Sequence, residues 1–158
     1  MTNRRKFIKK TAAAGITSSI PTFILSRDRS DQTIQLLVRA DDMANNWCRT
    51  VGMVKSFKEG IVTSVSLMTP SPYYEESVRL CKENPSMTVG LHITLLATRT
   101  RPVLSPEVVP SIITSTGFFH ESLDELNNAN PKMEEIEKEI GAQIEKARAS
   151  ALCSPTAR

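Results

Sequence analysis

A chain of 158 residues, 40% hydrophobic and 23% charged, is long enough for one domain with a real core and has none of the composition of a disordered protein. Its formal charge of +3 is concentrated at the front: the first 26 residues hold five basic side chains (Arg4, Arg5, Lys6, Lys9, Lys10) and no acid, leaving 15 basic and 17 acidic residues behind them. A polyanion-binding surface is therefore not expected, and nucleic acid is excluded from the partners.

The opening stretch NRRKFIKKTAAAGITSSIPTFIL has a basic front, an apolar middle of small residues and no acid before Asp28. It reads as an export signal. RRKFIKK resembles the twin-arginine motif, so residues 1–31 are expected to be a signal and linker handled by the twin-arginine export machinery, with the protein periplasmic or extracellular. Gly15, Thr17, Ser18, Ser19 and Pro21 interrupt the apolar run, which argues against a membrane-spanning helix there. Residues 32–158 are then the folded domain. Cys48, Cys81 and Cys153 fall at no metal-binding spacing, and an odd count argues against a disulfide framework.

Within that domain, TIQLLVR (33–39) is a β-rich apolar run of strand length that ends at Asp41 and Asp42. Between 46 and 59, Trp47, Val51, Val54 and Phe57 recur at spacings of four and three, predicting a helix with that face buried and Gly60 closing it. IVTSVSLM (61–68) is a second strand ended by the TPSP turn, 73–83 a short helix, and SMTVGLHITL (86–95) a third strand. Residues 97–131, rich in Pro, Ser, Asn and Thr, read as a long irregular connection able to line or cover a pocket. A last helix is predicted over 132–149, with Met133, Ile136, Ile140, Ile144 and Ala147 on its apolar stripe and acids early, bases late.

Alternating strands and helices predict an α/β fold with parallel strands, whose functional groups gather at the carboxyl ends of the strands. Asp41, Asp42 and His92 lie at or near two such ends. Two adjacent carboxylates repel, so they are either solvated in a capped polar turn or held by a cation or a shared proton. Successive strand residues point to opposite faces, and both acids can reach one site only if the chain turns there. His92, a lone histidine in an apolar strand, reads by itself as a satisfied core residue, and its company with the acid pair turns it toward a functional role. His120, in GFFHES, reads as a loop residue.

Taken together and in order, RADDM, EGIVTSVSLM and VGLHITL, followed by RPVLSPEVVPSIITSTGFF and EIGAQIEKA, resemble the YdjC-like family of carbohydrate deacetylases from about Thr33 to Lys146. The resemblance implies a metal-dependent hydrolase that removes N-acetyl groups from amino sugars, on a distorted (β/α) barrel of which this chain carries a part, the C-terminal portion being absent. It implies Asp42 and His92 as ligands of a divalent ion, magnesium or zinc, Asp41 as base toward the attacking water, and an N-acetylated oligosaccharide or amino sugar as substrate.

Three departures from the family pattern stand out. Ala44 replaces a glycine, where a positive φ would be costly, and Thr50 replaces an asparagine. The family continues past a PTH or PTY step into an Asp-x-His-x-His segment with a second metal histidine, where this sequence reads SPTAR. A non-catalytic family remnant with at most weak sugar or metal binding is the second reading, and a generic α/β domain the third. Weak metal binding, little deacetylation and self-association into a homo-oligomer through unpaired strand edges are the corresponding expectations.

Overall fold

The computed structural model describes residues 36–150. The basic leader, the start of the expected first strand, Cys153 and the closing SPTAR lie outside the described residues. The element order is β1 (Arg39–Met43), α1 (Trp47–Glu59), β2 (Ser64–Leu67), α2 (Tyr74–Lys82), β3 (Thr88–Leu91), a short 3-10 turn (Pro110–Ile112), α3 (Leu123–Asn128) and α4 (Met133–Ala149). The three strands form one parallel sheet in the order β1-β2-β3. This is the predicted partial α/β architecture, built from two successive strand–helix–strand crossovers.

The faces of the sheet differ sharply. Ala40, Val65 and Val89 share one register row, and this face packs with Leu67, Met53, Val54, Tyr74 and Val78 into the main core. Arg39 and Ser64 share the next row and point the other way, as do Asp41 and Ser66 by strand alternation. The apolar face carries the burial that holds the unit together, while the polar face collects the functional groups.

Several expectations about element ends are corrected. The first strand begins at Arg39 and contains the acid pair, instead of ending before it. Along α1 the inward stripe is Thr50, Met53, Val54 and Phe57, whereas Trp47 and Val51 are exposed. Val54 and Phe57 belong to both possible stripes, and the core selects the one that brings Met53 and Thr50 inward. Gly60 does close α1: a Cβ there would sit 2.6 Å from the Ser56 carbonyl oxygen.

The final helix is also rotated from its expected setting. Met133 is exposed, and the fully inward positions of α4 are Glu135, Glu139, Gln143 and Ala147, with Ile136, Ile140 and Ile144 only partly covered. Backbone chemistry explains this. The connection after β3 has few regular partners for its amides, and α4 supplies them: Glu139 accepts from the N–H groups of Val103 (2.9 Å) and Leu104 (3.0 Å), and Glu135 accepts from the N–H (2.7 Å) and hydroxyl (2.8 Å) of Ser111. The Ser111 backbone N–H, foremost, holds the Glu135 carboxyl below the usual range. The connection itself has α3 and a second small core of Val109, Ile112, Phe119 and Leu126, so it is more ordered than its composition predicts. Among the described residues no helix is long and apolar enough to cross a membrane.

Candidate functional site

The acid pair reaches one site because the strand carries a bulge. Ala40 pairs with Val65 but Met43 with Leu67, so β1 spends one residue more than β2 over that interval. Asp42 takes the slack at φ 67° and Ala44 follows at φ 81°. Strict alternation would send Asp42 into the apolar face and Met43 out of it; the bulge reverses both. Met43 ends fully buried in the core, and Asp42 turns to the polar side beside Asp41.

Ala44 thus adopts the left-handed conformation that favours glycine, as the sequence departure warned. Thr50 explains how it is held. From the first turn of α1 its buried hydroxyl accepts the Ala44 N–H at 3.0 Å, and Asn46 caps the helix by accepting from the Arg49 N–H at 3.3 Å.

Six side chains meet at the carboxyl end of the sheet. The Ser66 hydroxyl donates to Asp41 Oδ1 at 2.7 Å and lies 2.9 Å from His92 Nδ1. His92 Nε2 is 3.2 Å from Asp42 Oδ1, and Arg49 Nη1 donates to Asp42 Oδ2 at 3.1 Å. Arg39 Nε lies 2.7 Å from Asp41 Oδ1. His92 is held here by its own backbone N–H, which donates to Leu67 O at 2.9 Å and extends β3 by one position. The hydrogen bond from Ser66, and after it that from Arg39, hold the Asp41 carboxyl below the usual carboxylate range. Asp41 is therefore an ionised acceptor across the neutral range.

Donor counting fixes the imidazole. A serine hydroxyl has one proton, and here an ionised carboxylate takes it, so Nδ1 of His92 must donate to Ser66 Oγ. In the neutral ring Nε2 then faces Asp42 Oδ1 with its lone pair, two acceptors 3.2 Å apart that favour a cation between them; in the protonated ring Nε2 donates to Asp42 directly. The pair fits a divalent ion in kind: one imidazole nitrogen and one carboxylate oxygen, each oriented by a second partner, Ser66 or Arg49. A third protein donor is not at hand, since among the described residues no group of three His, Cys, Asp or Glu side chains is placed to hold a metal.

The site opens onto a cleft of about 340 Å³, lined on its polar side by Asp42, Asn45 and His92 and along its wall by Met68, Leu95 and Leu96. The far wall is fastened to α4. Buried Gln143 accepts from the Thr94 N–H at 3.0 Å and donates from Nε2 to the Thr94 carbonyl at 2.7 Å and to Glu139 Oε1 at 2.9 Å. His120 lies in the irregular connection, as expected, and is buried there; its backbone bridges to Leu96, and Nε2 has no hydrogen-bond partner among the described residues. It does not join Asp42 and His92. Ser66 was not foreseen. The signal was present in the alternation Ser64, Val65, Ser66, Leu67, which sets polar side chains on the face that also carries Asp41.

A parallel α/β sheet with carboxylates and a histidine at its carboxyl edge defines the class: a partial parallel α/β unit with a polar strand-end site. The family profile described as YdjC-like protein matches residues 35–156, and the chain belongs to that family. Curated relatives include a carbohydrate deacetylase of Enterococcus faecalis, 33% identical over 70% of this chain and 42% of the relative. A carbohydrate deacetylase of Brevibacillus brevis is 39% identical over 70% and 42%, respectively. In a crystal structure of an Enterococcus faecalis V583 protein provisionally assigned to cellobiose-phosphate cleavage, the match has a TM-score of 0.68 at 29% identity over 73% of this chain and 44% of that one. The chain thus spans less than half the length of these relatives.

Proposed function

We propose that these residues form the part of a carbohydrate deacetylase site that holds a divalent cation and takes up a proton, acting on N-acetylated amino sugars. The observation that carries the reading is the facing of His92 Nε2 and Asp42 Oδ1 at 3.2 Å, with the imidazole's other nitrogen committed to Ser66. Asp42 and His92 would be the ligands, magnesium or zinc being the candidate ions. Such an ion, when bound, polarises an acetyl carbonyl and acidifies water.

The chain's own residues do the rest. Arg49 holds Asp42 Oδ2 and so keeps Oδ1 toward His92. Asp41 has Oδ1 occupied by Ser66 and the Arg39 Nε, while Oδ2 has only a longer contact at 3.3 Å from Arg39, so Oδ2 is the oxygen free to take a proton from water. Asp41 is ionised before reaction, as a proton acceptor must be, and the proton it takes up passes to the departing amine afterwards. Acetate and a free amine are the products. A second reading, a non-catalytic family member that binds sugar or metal weakly, is favoured by the two-donor count among the described residues.

The experiment is acetate release from N-acetylated chito-oligosaccharides, measured on the chain and on a fusion extended by the carboxyl-terminal half of a full-length relative. Metal-dependent release that is lost in Asp41→Asn with metal still bound, and lost together with metal in Asp42→Ala and His92→Ala, is the expected result. Full turnover by Asp41→Asn would remove the base role. A fusion that binds metal and releases no acetate would favour the second reading.

A further inference from the structure

We infer that Trp47 and Tyr73 form a stacking platform for a second sugar ring, adjoining the cleft on its rim; the inference rests on the carbohydrate reading above. The chain is poor in aromatics, with 5% Phe, Trp and Tyr and a single tryptophan. Trp47 and Tyr73 nevertheless stand side by side at the surface, each 38% exposed, with ring centroids 6.2 Å apart and planes tilted by 38°. Neither serves the core: the inward stripe of α1 is Thr50, Met53, Val54 and Phe57, and Tyr74, not Tyr73, is the buried tyrosine at the start of α2. Each residue keeps over a third of its surface in water, and two aromatic side chains in contact at a surface form an apolar patch able to receive a ligand.

Position ties the pair to the site. Trp47 follows two residues after Asn45, which lines the cleft, and Tyr73 five residues after Met68, which also lines it. Trp47 opens α1 and Tyr73 caps α2, so both stand where the chain enters a helix after the carboxyl ends of β1 and β2, the edge that carries Asp42 and His92. A cleft of about 340 Å³ is at the small end for ligand pockets and has room for one sugar residue, so a longer saccharide must continue over the rim. The carbon–hydrogen face of a pyranose is the complement of an aromatic face, since weakly positive hydrogens meet the negative ring surface. The ligand implied is thus an oligosaccharide of at least two rings, one in the cleft and one on the aromatic pair.

Because Trp47 is the only tryptophan, its fluorescence reports directly on this surface. The full chain is titrated with N,N′,N″-triacetylchitotriose and, separately, with N-acetylglucosamine, with affinity checked by calorimetry. The expected result is a saturable emission change with the trisaccharide and a much smaller one with the monosaccharide. Tyr73→Ala and Trp47→Ala should each weaken trisaccharide binding on the order of two- to ten-fold and leave the monosaccharide unaffected. Trp47→Phe, which keeps a ring, should recover most of the loss, and thermal melts matching the parent chain establish that each variant is folded. Trisaccharide binding with unchanged emission and unchanged affinity in the variants overturns the platform, as does the absence of any trisaccharide binding. Acetate release separates the two ideas: a fluorescence response without deacetylation by the chain or its extended fusion refutes the proposed reaction alone, and deacetylation indifferent to Trp47 and Tyr73 refutes the platform alone.

Discussion

Replacing Gln143 by Met keeps the bulk of a fully buried side chain and removes every hydrogen bond it makes. Three bonds disappear: the one accepted from Thr94 N–H, and those donated to Thr94 O and Glu139 Oε1. Thr94 is itself buried, so its amide and carbonyl are left in the interior without those partners. Each orphaned backbone group costs about 1–3 kcal/mol, giving a loss of about 2–6 kcal/mol against a typical domain stability of roughly 5–15 kcal/mol. Urea unfolding followed by circular dichroism measures the total, with Ile140→Met on the same helix as the control, expected to lose less than about 1.5 kcal/mol. Hydrogen exchange locates it: the Thr94 amide should lose its protection while Val65, in the central strand, keeps its own. A Gln143→Met protein within about 0.5 kcal/mol of the parent, with Thr94 still protected, would show that α4 does not fasten the cleft wall.

Thr50→Val keeps the shape of a buried side chain and deletes the acceptor for Ala44 N–H, so it should cost about 1–3 kcal/mol in the same unfolding assay, with Thr50→Ser close to the parent. Ala44→Val places a β-branched residue at φ 81° and should lower the thermal midpoint far more than Ala44→Gly. Burial pushes the Cys81 thiol up from 9.0 to about 11, so its contribution to stability is intact below the unfolded value and lost as pH rises through that window. A Cys81→Ala variant should accordingly show a flatter alkaline stability profile, and peptide mapping after brief alkylation at neutral pH should find exposed Cys48 modified and Cys81 protected. Ser66→Ala should release the orientation of His92 and raise the Asp41 carboxyl toward its ordinary range, visible as a shifted Asp41 titration by NMR.

The alternation of strand and helix was legible because the main core obeys hydrophobic periodicity: Val65 and Leu67 on β2, and Val78 and Cys81 on α2, are apolar where the fold needs them. The acid pair and His92 stood out as polar residues at strand ends, and the cost of Ala44 followed from its departure from the glycine of the family pattern. The bulge could not. It consists of one extra residue and two positive φ values, and hydropathy around Asp41 and Asp42 looks the same whether the strand ends before them or runs through them. The face of α4 was misread for a related reason. Its isoleucines set an apolar stripe, but the unpaired amides of Val103, Leu104 and Ser111 required carboxylates inside, and no local pattern records where a distant loop needs acceptors. Ser66 escaped notice because a serine in a strand has no distinguishing chemistry until Asp41 and His92 are seen on either side of it.

The most direct measurement is the state of the His92 ring in the full chain, observed by long-range nitrogen–proton NMR with histidine labelled, before and after addition of magnesium and of zinc. The geometry predicts the proton on Nδ1, an Nε2 resonance that moves when at least one of the two ions is added, and no such movement in Asp42→Ala. A proton resident on Nε2 of the neutral ring, or an Nε2 resonance indifferent to both ions, would contradict a cation held between His92 and Asp42.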